Sequence, residues 1–232
     1  MNQKPPLLPE TLPIFPLARV LLLPSGNLPL NIFEPRYLNM VADTLGRNGD
    51  GDGLIGMVQP RLPEAASRAG SVGDNEAVYQ TGCAGRITDF SETKDGPGGR
   101  RILISLHGLI RFNIAAELPI EKGYRRIRPD FSPFLHDLEN QPEDEKTKDS
   151  GRATGRERVQ TALKAFLSAK NIETDWDEIR NWSLSELVTT ISMTGPFDAG
   201  EKQALLECAR MGERAELLIA LMEMPVSASQ RH

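Results

Sequence analysis

The stretch Leu12 to Leu45, LPIFPLARVLLLPSGNLPLNIFEPRYLNMVADTL, changes its hydrophobic period half-way along, and that change restricts what the chain can build. Before it, apolar residues come in short extended runs. Phe15 to Leu23 reads as one run, interrupted by Arg19 and bounded by Pro16 and Pro24. Proline has no N–H for a strand ladder, so both prolines belong at a strand margin or in a turn. Ser25-Gly26-Asn27 reads as a turn and Leu28 to Phe33 as a second run. From Pro35 the period is helical: Tyr37, Leu38, Val41 and Leu45 share a face, Pro35 suits the first turn and Gly46 the C-terminal cap. Glu34 stands where a negative charge favours a helix N-terminus. The unit is strand, turn, strand, helix.

Further short strands follow. Leu54 to Val58 is stopped by Pro60 after a glycine-rich loop, and residues 61–76 are polar and small, as in a long surface loop. Tyr79 to Phe90 returns to strand character, with Gly82 and Gly85 marking a bulge or a close backbone approach. Thr93 to Gly99 links two apolar runs as a hairpin turn. Ile102, Ile104 and Leu106 alternate on one face. Ile110, Phe112 and Ile114 then point inward, with Arg111 and Asn113 outward. Ile127, Pro129 and Phe131 against Arg126, Arg128 and Asp130 give a last strand. Short strands around one early helix predict a small closed or half-closed β-barrel.

Leu138 to Gly155 carries mixed charge and almost no apolar residues, the composition of a linker. Beyond it the pattern is helical. Capping boxes stand at Thr154-x-x-Glu157, Ser183-x-x-Glu186 and Asp198-x-x-Glu201. The faces they introduce are Val159, Leu163, Phe166 and Leu167; Leu184, Leu187, Val188 and Ile191; and Leu205, Leu206 and Ala209. Thr174-x-x-Asp177 starts a short turn with Trp176 and Ile179, and Leu217, Leu218, Leu221 and Met222 form the last face. Trp176 and Trp182 are expected in the core. The domains so read are 1–137, a linker over 138–155, and a helical bundle over 156–232.

IFPLARVLLLPSGNLPLNIFEPRY resembles the opening signature of the Lon protease N-terminal (substrate-binding) domain family, with Ser25 inserted between the Pro and Gly of the usual turn. Residues 79–87, 104–112 and 195–206 are similar to the family's middle strands and late helical segment. The resemblance implies an α+β fold: a PUA-like β-barrel followed by a small α-helical bundle. It also implies a bacterial-type, free-standing member without ATPase or protease modules. The signature residues are Phe15, Pro16, Leu17, Phe33, Glu34, Pro35, Arg36 and Tyr37. Glu34 and Arg36 are read as structural, a helix-start carboxylate and a guanidinium holding the helix to the barrel.

Little in the chain points to bond-making chemistry. Its 232 residues contain no Gly-x-x-x-x-Gly-Lys-Ser/Thr phosphate loop and no Gly-x-Ser-x-Gly elbow, and His107, His136 and His232 are scattered. His107 reads as a strand-end residue. Gly51-x-Gly53-x-x-Gly56 leads from helix to strand, the reverse of the dinucleotide context. Asn48-x-Asp50-x-Asp52-Gly53 matches the start of an EF-hand loop, but Gln59 takes the place of the bidentate Glu. No catalytic residue, cofactor or metal is therefore expected. Cys83 and Cys208 have no metal-ligand spacing and suit a reducing, cytoplasmic setting. No apolar run reaches the ~20 residues of a helical membrane span.

The favoured reading is a non-enzymatic polypeptide-binding module, an adaptor in protein quality control. It would hold exposed apolar segments of other proteins in a groove between barrel and bundle, the expected partners being polypeptide clients or a protease or chaperone. The alternative is an RNA-binding PUA-like barrel. That reading rests on a basic face from Arg125, Arg126 and Arg128 with Arg100, Arg101 and Arg111, and a net charge of −5 argues against it.

Overall fold

The computed structural model describes residues 8–46, 51–61, 76–96, 99–139, 155–172, 174 and 176–224, and the chain divides into two compact units, 1–141 and 142–232. In the first, β1 (Leu12–Pro16), β2 (Asn27–Ile32), α1 (Pro35–Leu45) and β3 (Leu54–Val58) are followed by β4 (Thr81–Gly96), β5 (Gly99–Glu121) and β6 (Tyr124–Asp130). A 3-10 helix, Ser132–Leu138, comes next. The ladders run β5–β4–β3–β1–β6 and return to β5, so five strands close into a ring. Only β1–β3 is parallel.

The great length of β5 makes this closure possible. Its first half pairs with β4 and its second half, from Asn113, with β6. Register shifts at Ala84/Gly85 and Ile87/Asp89 bend the sheet between them. Inward residues from all five strands form the core: Leu12, Ile14, Leu54, Val58, Ala84, Ile110, Phe112 and Ile127, closed by Phe131. Alternation produces this core directly, because every second residue of a closed strand faces in.

The run Phe15 to Leu23 is not one strand. β1 ends at Pro16, the Leu17 N–H closes onto the Val58 carbonyl, and Arg19 adopts φ 63° and turns the chain. Leu21, Leu22 and Leu23 are buried outside any strand. They lie over a gap kept open by glycine, since a Cβ on Gly108 would stand 2.0 Å from the Leu23 carbonyl oxygen. An apolar run seated as a buried loop has the same periodicity as a strand.

Helix α1 buries Tyr37, Leu38, Met40, Val41 and Thr44, while Leu45 is only half-buried. Tyr37 packs on Phe15 with ring centroids 4.1 Å apart. The other end of α1 is tied to the β5–β6 turn, where Lys122 and Gly123 take φ 55° and 85°. Asp43 accepts from Lys122 Nζ at 2.6 Å and from the Tyr124 hydroxyl at 2.8 Å.

In the second unit, α2 (Gly155–Ala169), α3 (Trp176–Ile179), α4 (Leu184–Thr194), α5 (Ala199–Glu207) and α6 (Met211–Glu223) pack around Val159, Leu163, Phe166, Leu187, Leu205 and Leu218. The capping boxes at Ser183/Glu186 and Asp198/Glu201 are formed in full; Thr154 lies outside the described residues. On α6 the buried stripe is Arg214, Ala215, Leu218, Ile219 and Met222, so Leu217 and Leu221 flank it. Two buried cations serve helix ends: Lys202 donates to the Met193 carbonyl at 2.7 Å and Arg214 Nε to that of Leu205 at 2.8 Å. Trp176 and Trp182 are half-buried rather than core.

Candidate polypeptide-binding surface

Outside the barrel ring, β2 pairs with β5 from Asn27↔His107 to Ile32↔Ile102, making a three-stranded layer β2–β5–β4. Strand alternation gives this layer two different faces. Leu30, Ile32, Ile102, Ile104 and Leu106 are buried on one. Asn27, Pro29, Asn31, Arg101 and Leu103 occupy the other, and Phe33 continues it past the end of β2. Phe33 is 57% exposed and Leu103 52%. The Arg101 guanidinium sits 5.8 Å from the Phe33 ring centroid, a cation–π contact that leaves most of the ring open. Leu103 was legible as the apolar residue left outward when Ile102, Ile104 and Leu106 point in, yet the sequence reading did not single it out.

The signature residues therefore separate. Phe15 and Tyr37 are buried in the contact between β1 and α1, Pro16 is buried at the end of β1, and Leu17 stands just beyond it. Pro35 opens α1. Glu34 is the N-cap residue by backbone position, but its side chain makes no cap hydrogen bond. Its carboxylate accepts from Arg36 Nε at 3.0 Å and NH2 at 2.9 Å. Arg36 also lies 4.7 Å over the Tyr37 ring, and its Cβ would meet a Cβ on Gly123 at 3.3 Å. Phe33 alone of the eight presents a large apolar surface outward.

The expected basic face is largely neutralised. Arg111, read as outward, is 1% exposed, because the 3-10 helix covers it. Asp137 accepts from its Nε, NH2 and backbone N–H at 2.9, 2.8 and 3.0 Å. Arg125 is buried against Glu117, Arg126 pairs with Glu121 and Arg100 with Glu92. The free positive potential that phosphate contacts need is thus internally answered at four of the six arginines.

The histidines are engaged too. His107 lies within β5 rather than at a strand end, its Nδ1 2.9 Å from Asn27 Oδ1. His136 Nε2 is 3.0 Å from Arg111 NH2, and His232 lies outside the described residues. The Gly51 and Gly53 amides donate to the Leu45 and Thr44 carbonyls at the end of α1, which occupies them away from any phosphate. Of the possible calcium loop, Asn48 and Asp50 lie outside the described residues. Asp52 Oδ1 accepts the Leu54 N–H at 2.9 Å. In the helical unit a shallow cleft of about 460 Å³ is lined by Lys164, Leu167, Ser168, Ile172, Thr174 and Trp176.

A closed barrel with two large apolar side chains on an otherwise polar outer sheet face, followed in the chain by a helical unit, defines an α+β protein of the barrel-and-bundle class. Comparison with known proteins makes the family specific. A family profile described as the ATP-dependent protease La (LON) substrate-binding domain matches residues 11–224, and the chain belongs to that family. It is 24% identical over 220 residues to Lon protease 2 of Sorangium cellulosum (strain So ce56), covering 92% of this chain and 24% of that protein. The chain thus spans about a quarter of that relative's length. Two solved structures share the fold. A Lon N-terminal domain protein from Xanthomonas campestris has 22% identity and a TM-score of 0.55, covering 93% of this chain and 99% of that one. The N-terminal domain of Mycobacterium avium complex Lon protease has 16% identity and a TM-score of 0.56, covering 91% and 97%. Among the described residues no helix is long and apolar enough to cross a membrane.

Proposed function

We propose that this chain binds exposed apolar segments of other polypeptides, acts by binding rather than by catalysis, and serves as an adaptor in protein quality control in the cytoplasm. The observation that carries this reading is the outward pair Phe33 and Leu103 on the β2–β5–β4 layer, within a chain of the LON substrate-binding family. Large apolar side chains grouped on an otherwise polar face mark contact sites. Covering two half-exposed side chains of this size contributes on the order of 2 kcal/mol, roughly a 30-fold change in affinity. Two free thiols, Cys83 and Cys208, support a reducing compartment.

The test is fluorescence anisotropy with a labelled, permanently unfolded polypeptide, such as reduced and alkylated lactalbumin. Wild-type protein binds with little dependence on salt, and the double variant Phe33→Ser/Leu103→Ser binds about 30-fold more weakly at an unchanged melting temperature. Equal binding by the double variant, or no binding by the wild type, refutes the assignment. A steep salt dependence points to charge contacts instead.

A further inference from the structure

Backbone geometry along β2 is more informative than its side chains. The Gly108 N–H donates to the Gly26 carbonyl at 2.8 Å, which fixes the phase of the antiparallel pair. Residues of the same parity, Leu28, Leu30 and Ile32, therefore turn their N–H and C=O groups toward β5. Asn27, Pro29 and Asn31 turn theirs the other way. The placement of Pro29 agrees, because a proline facing β5 would cost that ladder a donor. Among the described residues nothing meets the N–H groups of Asn27 and Asn31 or the carbonyls of Asn27, Pro29 and Asn31. The open edge spans about 14 Å.

We infer that this edge takes an extended polypeptide segment as an added β-strand, with the segment's outward side chains laid beside the Phe33 and Leu103 face. The inference rests on the polypeptide-binding reading and specifies its mode. A row of unpaired backbone donors and acceptors at strand spacing is complementary to another strand and to few other ligands. The edge also lacks the usual charged protection, since Asn27–Ile32 is Asn-Leu-Pro-Leu-Asn-Ile. Pro29 is the one blunting device, and it removes a single donor while leaving its carbonyl. The segment it selects is short, uncharged and free of proline, with apolar residues at alternate positions on the side of Phe33.

The probe is a labelled peptide of alternating valine and threonine with a lysine at each end. Two further peptides carry N-methyl groups, on the odd positions in one and on the even positions in the other. Strand addition predicts that one methylated peptide loses binding at least about tenfold while the other keeps it, because only alternate N–H groups face β2. Asn31→Pro, which removes an outward donor and no β5 bond, loses binding similarly, and Pro29→Ala, which adds a donor, gains a few-fold. If Asn31→Pro does not fold, the methylated peptides and Pro29→Ala still decide. Equal binding of both methylated peptides overturns strand addition and leaves polypeptide binding standing. So does a parent peptide that fails to bind while the unfolded polypeptide of the previous test binds. Failure of both probes overturns both readings. Concentration-dependent dimerisation abolished by Asn31→Pro assigns the edge to a second copy of this chain and overturns the client.

Discussion

Arg111 and Asp137 form a nearly sealed ion pair, with side chains 2% and 7% exposed and the Asp137 carboxylate accepting three hydrogen bonds from the one arginine. The Phe134 ring covers the guanidinium at 4.8 Å. The pair fastens the 3-10 helix to the outer side of β5, where the chain leaves the barrel. Burying two charges is costly, so the pair's net contribution is small, but breaking it strands a charge away from water. Arg111→Met or Asp137→Leu alone is expected to cost ~3–5 kcal/mol in urea unfolding. The double substitution should cost clearly less than the sum. Additive losses would show that the two side chains act independently.

Asp43 links α1 to the β5–β6 turn and makes that link sensitive to pH. Burial alone would raise the Asp43 carboxyl, but hydrogen bonds from Lys122 and Tyr124 and the charges of Lys122 and Arg126 outweigh it and hold the group below its ordinary value of 3.8. Burial first, then its hydrogen bond to Asp43 and that residue's charge, together push Tyr124 up to about 12. A depressed acid stabilises the fold above its unfolded value and ceases to do so as pH falls through the folded one. A raised tyrosine stabilises below its unfolded value of 10.0 and ceases as pH climbs toward 12. The melting-temperature gap between wild type and Asp43→Asn should therefore close below pH 3.8. The gap to Tyr124→Phe should close above pH 10.0. Gaps that stay constant through these windows would sink the linkage.

What the sequence disclosed was local. Ser183 and Asp198 announced their helices because a capping box is complete within four residues, and Ile102, Ile104 and Leu106 announced β5 by alternation. Non-local facts were hidden. Arg111 looks like any outward strand arginine until Asp137, twenty-six residues on, comes back to meet it. Leu21 to Leu23 looked like strand because burial without pairing leaves no periodic mark. Phe33, embedded in a signature read as structural, declares itself only through exposure.

Limited proteolysis should cut between Glu139 and Arg156 before anywhere else. That stretch offers no apolar stripe to bury, whereas the barrel and the helices on either side do. Brief trypsin treatment read by mass spectrometry should give a β-rich and a helical fragment. Early cleavage inside Ile102 to Ile114, with residues 139–156 intact, would move the domain boundary.

Glu34 and Arg36 adjoin Phe33 in the signature, and their variants should behave oppositely to Phe33→Ser. Their side chains are 35% and 21% exposed, so the pair itself is worth no more than ~1 kcal/mol. Arg36 has more to lose than Glu34, because its stem packs beside Gly123 and its guanidinium covers Tyr37. Glu34 caps α1 with its backbone only, so its removal forfeits the ion pair and little else. Thermal melts should therefore rank Arg36→Ala below Glu34→Ala and both below wild type, with the double variant less damaged than the sum. Binding of unfolded polypeptide should survive in both single variants at temperatures where they remain folded. Unchanged melting temperatures combined with lost binding would transfer Glu34 and Arg36 to the recognition surface alongside Phe33.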